Sequence, residues 1–236
     1  YFMRTLLSEK YRVTCCYDVE SAKKQLSEYM PDIVVSDVVM TGESGIDLCR
    51  YIKAELQFSH IPIILLTAKS HLEDQIAGIG AGADAYVAKP FNTAYLLQVI
   101  ETTLVNRERI RKSLTGEGQQ NTANTEGLSP QDKAFLKELY KIMDRELSND
   151  EYNVSAVVEE MHLSHSKFIY KVKGLTGLTP SEFFKTYKLT KAAELLRKGD
   201  YNISEVAYMT GFSTLAHFSK VFKKKFGVSP SQYLNP

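Results

Sequence analysis

Residues 153–177, NVSAVVEEMHLSHSKFIYKVKGLTG, and residues 202–227, NISEVAYMTGFSTLAHFSKVFKKKFG, are two versions of one pattern, the second longer by one residue. Val154 pairs with Ile203, Val157 with Val206, Leu163 with Phe212 and Phe168 with Phe218; Val172 then pairs with Phe222, Gly177 with Gly227 and Pro180 with Pro230. A duplication of this kind constrains the fold strongly, because whatever one copy forms the other must form too. Each copy reads as a helix, a tight turn and a second helix. In the second copy the turn is Thr210-Gly211-Phe212-Ser213, where glycine permits the left-handed conformation of a sharp bend. His162 stands at the equivalent place in the first copy, which predicts a strained or capped turn residue there. Thr179-Pro180-Ser181-Glu182 has a cap residue, a proline at the first helical position and a glutamate at the third. Ser229-Pro230-Ser231-Gln232 repeats the device, and Asn202-Ile203-Ser204-Glu205 opens a helix in similar style. Between the copies, residues 181–198 predict one helix of about 27 Å. Such a spacer could set two helices about one DNA turn, roughly 34 Å, apart. Residues 130–236 therefore read as all-α.

Charge points to what this half meets. The whole chain of 236 residues has a net charge of only +1, but residues 163–236 hold 12 Lys and Arg against 4 Asp and Glu, whereas residues 1–127 hold 13 against 16. A basic C-terminal third implies an anionic partner for that part alone. In the second copy the turn is followed by a helix that should bury Leu215, Phe218, Phe222 and Phe226. Its other face presents Ala216, Ser219, Lys220 and Lys223 at i, i+3, i+4, i+7. Small polar residues with two lysines suit a DNA major groove, reaching base edges or phosphates. The matching face of the first copy is Ser166, Ile169, Tyr170 and Lys173, flanked by Lys167 and Lys171. Ile169 could meet a thymine methyl or pack inward.

The first half alternates differently. Short β-rich runs at Tyr11–Cys16, Ile33–Ser36, Ile63–Leu66 and Ala85–Ala88 are separated by helical stretches at 20–29, 45–55, 72–79 and 92–106. That alternation predicts βα units and a parallel sheet covered on both faces, with chemistry at the carboxyl ends of the strands. Asp37, Thr67 and Lys89 each fall at such an end. Together they could serve phosphoryl chemistry: an acid as nucleophile, a hydroxyl to hydrogen-bond a phosphoryl oxygen, an ammonium to offset charge. Between the halves, SLTGEGQQNTANTEGLS at 113–129 is rich in Gly, Gln, Asn and Thr, the composition of a flexible tether of roughly 20 to 25 Å. The expected domains are thus 1–112 and 130–236, joined by a linker at 113–129. Three scattered cysteines, Cys15, Cys16 and Cys49, exclude a disulfide scaffold or zinc finger and are expected to be reduced thiols packed as small hydrophobes. No run approaches the roughly 20 apolar residues of a membrane helix, and no secretion signal is visible at the N-terminus, so a cytoplasmic location is expected.

The motif NISEVAYMTGFSTLAHFSKVFKKKFGVSPSQYL, with the pattern over about 132–236, resembles the AraC/XylS-type DNA-binding domain, in which a linker helix joins two helix-turn-helix units. The resemblance implies transcription regulation by binding tandem half-sites on double-stranded DNA. By position it puts Ser166, Ile169, Tyr170, Ala216, Ser219 and Lys220 at the DNA; the charge pattern adds Lys167, Lys171 and Lys223 as phosphate contacts. Many members of that family have Arg or Lys where this chain has Tyr170.

The segments SDVVMTGESGIDLC, LLTAKS and GADAYVAKPF resemble a response-regulator receiver domain over about 1–110. This implies a doubly wound, flavodoxin-like parallel sheet. It implies Asp37 as phospho-acceptor, Thr67 as switch hydroxyl, Lys89 as the paired lysine and Tyr86 as switch aromatic. A histidine kinase would be the phosphodonor, and a homodimer would form through the face at about 72–106. The family binds Mg²⁺ through the acceptor aspartate, a backbone carbonyl, here that of Val39, and an acidic pair at the end of a first strand. The chain departs from the pattern here: it starts inside what should be the first helix, and the strand with its acidic pair is not in it; Thr41 also replaces a usual proline. Three explanations stay open: further residues precede Tyr1, the chain is cut within the domain, or a partner chain supplies the strand. The expected function is a phosphorylation-controlled transcription factor and not an enzyme. The alternatives are a regulator whose receiver is only a dimerisation module and, from Asp37 alone, a phosphatase of the dehalogenase type, which would want a second aspartate where Val39 stands.

Overall fold

The computed structural model of the chain describes residues 2–40, 42–68, 79–116, 127–151 and 153–234. It forms two compact units, residues 1–106 and 107–236. In chain order the first holds α1 (Phe2–Ser8), α2 (Val19–Glu28), β1 (Val34–Asp37), α3 (Gly45–Ala54), β2 (Ile63–Ala68) and β3 (Ala85–Lys89), and then the start of α4 (Thr93–Leu114). The strands make a parallel sheet in the order β1-β2-β3, with Asp37 beside Leu66 and Ala68 beside Lys89.

Both faces of this sheet are covered, as the continuous apolar strand runs require. Along β2, Ile63 and Leu65 join a core with Val19 and Leu26 of α2 and Ile46, Cys49 and Ile52 of α3. Ile64 and Leu66 point the other way, into a core with Val87, Leu96 and Ile100, against which Met3 and Leu7 of α1 also pack. Helices start where their caps dictate: the side chains of Asp18 and Ser44 each accept from the third helical amide, and their own amides donate back to the side chains of Ser21 and Asp47, closing capping boxes. Two anchors not foreseen from spacing fix the entry to β2 and β3. Asp84 Oδ2 accepts from the Ile63 amide and from Lys53 Nζ, both at 2.8 Å.

Tyr11–Cys16 is not a strand. The segment is irregular, and Cys15 and Cys16 are exposed. Among the described residues no neighbouring strand offers it backbone partners, so its β propensity goes unused. Of the three thiols only Cys49 is buried, its Sγ donating to the Ala81 carbonyl at 3.4 Å; burial pushes that thiol up to about 11. The helix expected at 72–79 and Thr41 lie largely or wholly outside the described residues.

The second unit is helical throughout: the end of α4, then α5 (Pro130–Arg145), α6 (Val154–Glu160), α7 (His165–Thr176), α8 (Pro180–Lys198), α9 (Ile203–Met209), α10 (Leu215–Phe226) and α11 (Pro230–Leu234). The unit boundary falls before Arg107, ahead of the residue-112 limit, because α4 continues for two further turns with Arg107 and Leu114 buried. Of the tether at 113–129, Ser113 and Leu114 are helical, Leu114, Thr115 and Leu128 are buried, and 117–126 lie outside the described residues.

The duplication is reproduced in the caps, turns and helix lengths, although only Asn202 closes a capping box, with Glu205. Asn153 and Asn202 cap α6 and α9, each of seven residues. In the turns, His162 N–H donates to Glu159 O and Gly211 N–H to Tyr208 O, both at 3.0 Å; Leu163 N–H then bonds Val158 O and Phe212 N–H bonds Ala207 O. His162 and Gly211 are both left-handed, φ 53° and 69°. Glycine is needed in the second turn, where a Cβ would lie 2.6 Å from the Leu147 carbonyl. Ser164 and Thr214 then cap α7 and α10, each of twelve residues and each closed by a left-handed glycine, Gly177 or Gly227. Phe212, Phe218 and Phe222 are buried with Val206, Ala207 and Leu189. Leu215, expected inside, is 39% exposed, because it opens α10 on the solvent side of its cap.

Candidate phosphoryl-acceptor and DNA-binding sites

In the first unit, parallel strands side by side bring their carboxyl ends to one edge, so residues far apart in sequence meet. Asp37 closes β1, Thr67 is the penultimate residue of β2 and Lys89 closes β3. Lys89 Nζ is ion-paired with Asp37 Oδ2, both side chains about two-fifths exposed. Asp37 Oδ1 also accepts the Val39 amide at 3.3 Å. The carboxylate is therefore held by a cation and a backbone donor while still open to solvent. Thr67 is buried and donates to the Ala68 carbonyl at 3.3 Å. Lys89 precedes a cis Pro90. Tyr86 packs toward the α2–α3 core; its hydroxyl is buried with no hydrogen-bond partner among the described residues, and burial pushes it up to about 12.

The acceptor edge rests on α3. Gly45 N–H donates to the Val38 carbonyl at 3.0 Å, and a Cβ on Gly45 would lie 2.0 Å from the Asp37 carbonyl oxygen. Helix and strand end are in contact at a point where only hydrogen fits.

Asp37 and the carbonyl of exposed Val39 offer one carboxylate and one neutral oxygen for Mg²⁺. Among the described residues no group of three or more His, Cys, Asp or Glu converges. The residues present thus fall short of an oxygen cage for the metal.

In the second unit, α7 exposes Ser166, Lys167, Ile169 and Lys173, with Tyr170 half-buried; Ile169, at 42% exposure, does not pack inward. The face of α10 exposes Ala216, Lys220 and Lys223, with Ser219 half-buried. Lys171 departs from expectation: it is fully buried and ion-paired with Asp132 in the first turn of α5, with its ammonium 6.0 Å from the Phe135 ring centre. A phosphate contact is closed to it. In a twelve-residue helix the position after Tyr170 turns toward the core, and α5 supplies the carboxylate that makes a buried ammonium tolerable. Asp132 escaped notice in the sequence because nothing in its spacing links it to α7.

A helix-turn-helix domain model of the AraC type matches residues 157–236, and the response regulator receiver domain model matches 1–101. "Histidine kinase P4" of Formosa agariphila is 35% identical over 99% of this chain, which spans 17% of that protein's length. The signal receiver domain of a signal transduction histidine kinase from Syntrophus aciditrophicus is 30% identical, covering 46% of this chain and 83% of its own, with a TM-score of 0.44. A response regulator receiver domain protein from Methanospirillum hungatei JF-1 is 25% identical, covering 46% and 86%, with a TM-score of 0.42. No described helix is long and apolar enough to cross a membrane. Receiver plus helix-turn-helix is an architecture typical of non-enzymatic regulators, and the two matches fall one in each half of the molecule: the chain carries a response regulator receiver domain followed by an AraC-type helix-turn-helix domain.

Proposed function

We propose that the chain is a phosphorylation-controlled, sequence-specific transcription factor with Asp37 as acceptor. The observation that carries this is the pairing of Lys89 with Asp37 at one end of adjacent parallel strands. An Asp37 oxygen attacks the phosphorus of a phosphohistidine on a histidine kinase; the N–P bond breaks and the imidazole leaves. Lys89 offsets the charge of the new acyl phosphate. Thr67 exchanges its bond to the Ala68 carbonyl for a phosphoryl oxygen, drawing in the end of β2. Tyr86, on the neighbouring strand and with no hydroxyl partner among the described residues, is the side chain that follows. Homodimerisation through the face at about 72–106 is supported, in its described part, by exposed Ile79, Tyr95 and Val105. Mg²⁺ belongs to this reading only together with an acidic pair beyond these 236 residues. The name of the Formosa agariphila relative supports placing the phosphodonor in a larger kinase polypeptide, and a cytoplasmic location and no enzymatic turnover of its own go with the same reading.

DNA is read by Ser166, Ile169, Tyr170, Ala216, Ser219 and Lys220, with Lys167 and Lys223 on phosphates. Treatment with a small phosphodonor is expected to add one phosphoryl group by intact mass and to raise affinity for a selected DNA duplex by about 10- to 100-fold, through dimer avidity. Asp37→Asn abolishes both. Phosphoryl uptake with unchanged DNA affinity would leave the receiver a dimerisation module only. A separate measurement tests the phosphate contacts: Lys223→Ala or Lys167→Ala should each reduce the salt slope of binding by about 1.

A further inference from the structure

Residues 107–116, the last turns of α4 and the two residues after it, touch four other helices of the second unit, α5, α7, α8 and α10. Arg107 Nη2 donates to the Gly174 carbonyl at 3.3 Å, in the last turn of α7. One turn on, Arg111 Cδ lies 3.8 Å from where a Cβ on Gly177, the cap of α7, would stand. The Leu114 carbonyl accepts from the Tyr140 hydroxyl at 3.5 Å. Gly116, left-handed at φ 71°, abuts α8: a Cβ on it would meet Thr190 Oγ1 at 3.0 Å. The Thr115 carbonyl accepts from Lys225 Nζ at 3.3 Å, and the same ammonium donates to the Thr186 carbonyl of α8, also at 3.3 Å. Lys225 sits in the last turn of α10.

One short segment therefore joins the carboxyl ends of both recognition helices and the middle of the helix between them. The charges suit the places: a guanidinium lies against the carbonyl end of α7 and an ammonium against that of α4, where helix dipoles favour cations. α8 also packs on both recognition helices, with Phe184 edge-on to Phe168 of α7 and Leu189 in the core with Phe218 and Phe222 of α10, and this segment adds directional polar bonds to that apolar packing.

We propose that residues 107–116 brace the two helix-turn-helix units at one separation and angle, with Arg107 and Lys225 as positioning residues that set the spacing of the half-sites. The inference rests on the DNA-binding reading above. A braced pair accepts one half-site spacing; moving the half-sites forces it either to give up one unit's contacts or to break the bonds to Gly174, Thr115 and Thr186.

The test uses the full chain and a DNA duplex selected by it from a random pool, then the same duplex with its two half-sites moved by one or two base pairs. The parent should lose affinity on the order of tenfold or more on re-spacing. Lys225→Met should lose less than about threefold, while binding a duplex with a single half-site as the parent does; Lys225→Arg should keep the parent's dependence. Lys225→Met retaining the parent's spacing dependence overturns the brace. Should Lys225→Met fail to fold, shown by loss of single half-site binding, Arg107→Gln decides by the same comparison. A parent that selects sequences but tolerates every spacing overturns the brace alone. A parent that selects no sequence overturns the DNA-binding reading with it.

Discussion

Lys171→Ala is expected to destabilise the second unit by about 3–5 kcal/mol, because it leaves the Asp132 carboxylate, 2% exposed, without its buried cation. For a unit of residues 107–236 that corresponds to a fall in Tm of roughly 10–20 °C by thermal denaturation. The origin is desolvation. Asp132 also sits in the first turn of α5, its amide bonded to the Ser129 cap at 3.1 Å, so it cannot swing out to water without undoing that cap. The double variant Lys171→Met with Asp132→Leu removes both charges and keeps the volume, and should recover most of the loss. A double-mutant cycle therefore returns a coupling of several kcal/mol if the pair is structural. The salt dependence of DNA binding supplies a second readout: a residue on DNA phosphate would lower the slope on substitution, whereas Lys171→Met with Asp132→Leu should leave it unchanged. A lowered slope with unchanged Tm in Lys171→Ala would return Lys171 to the DNA surface.

That pair marks where reading the sequence stopped. Periodicity and caps are local, and local signals carried far: Thr179 with Glu182, Asn202 with Glu205 and Ser229 with Gln232 all close the bonds their spacing predicts. The acceptor edge was legible too, since strand ends in a parallel sheet converge whatever lies between them, bringing Lys89 to Asp37 across 52 positions. What failed needed a partner that spacing does not name. Lys171 looks like any other lysine on a basic helix until Asp132, 39 residues earlier, faces it. Tyr11–Cys16 has the composition of a strand, but a strand needs a neighbour's amides and carbonyls. Polar Thr115 and Gly116 read as tether, yet each has a seat, on Lys225 and Thr190. Leu215 matched the apolar stripe, but as the first residue of α10 it lies past the edge of the core. Helix periodicity says which side a residue faces, not how far the packing neighbour extends.

Gly45→Ala tests the acceptor edge with a single methyl. At the first position of a helix an alanine is ordinarily neutral or better than glycine, by up to about 1 kcal/mol. Here the new Cβ would stand 2.0 Å from the Asp37 carbonyl oxygen and 2.8 Å from Ser36 Oγ. Both neighbours are at the end of a strand whose Asp37 and Ser36 are registered against Leu66 and Leu65, so the strand cannot yield without breaking the ladder. The helix cannot easily yield either, since Ser44 and Asp47 close a capping box and Ile46, Cys49 and Ile52 are buried beneath it. A loss of about 3 kcal/mol or more is expected by denaturant unfolding, at the upper end of what overpacking costs. Gly42→Ala is the matched control. Gly42 is left-handed at φ 84° with nothing within 4 Å, so it should cost only the backbone strain of about 1–2 kcal/mol. The functional consequence separates them further. Any relief of the Gly45→Ala clash moves the Asp37 carbonyl, and with it the carboxylate that Lys89 holds, so phosphoryl uptake should fall in Gly45→Ala and persist in Gly42→Ala. Equal stability of the two variants would mean that α3 does not bear on the acceptor strand.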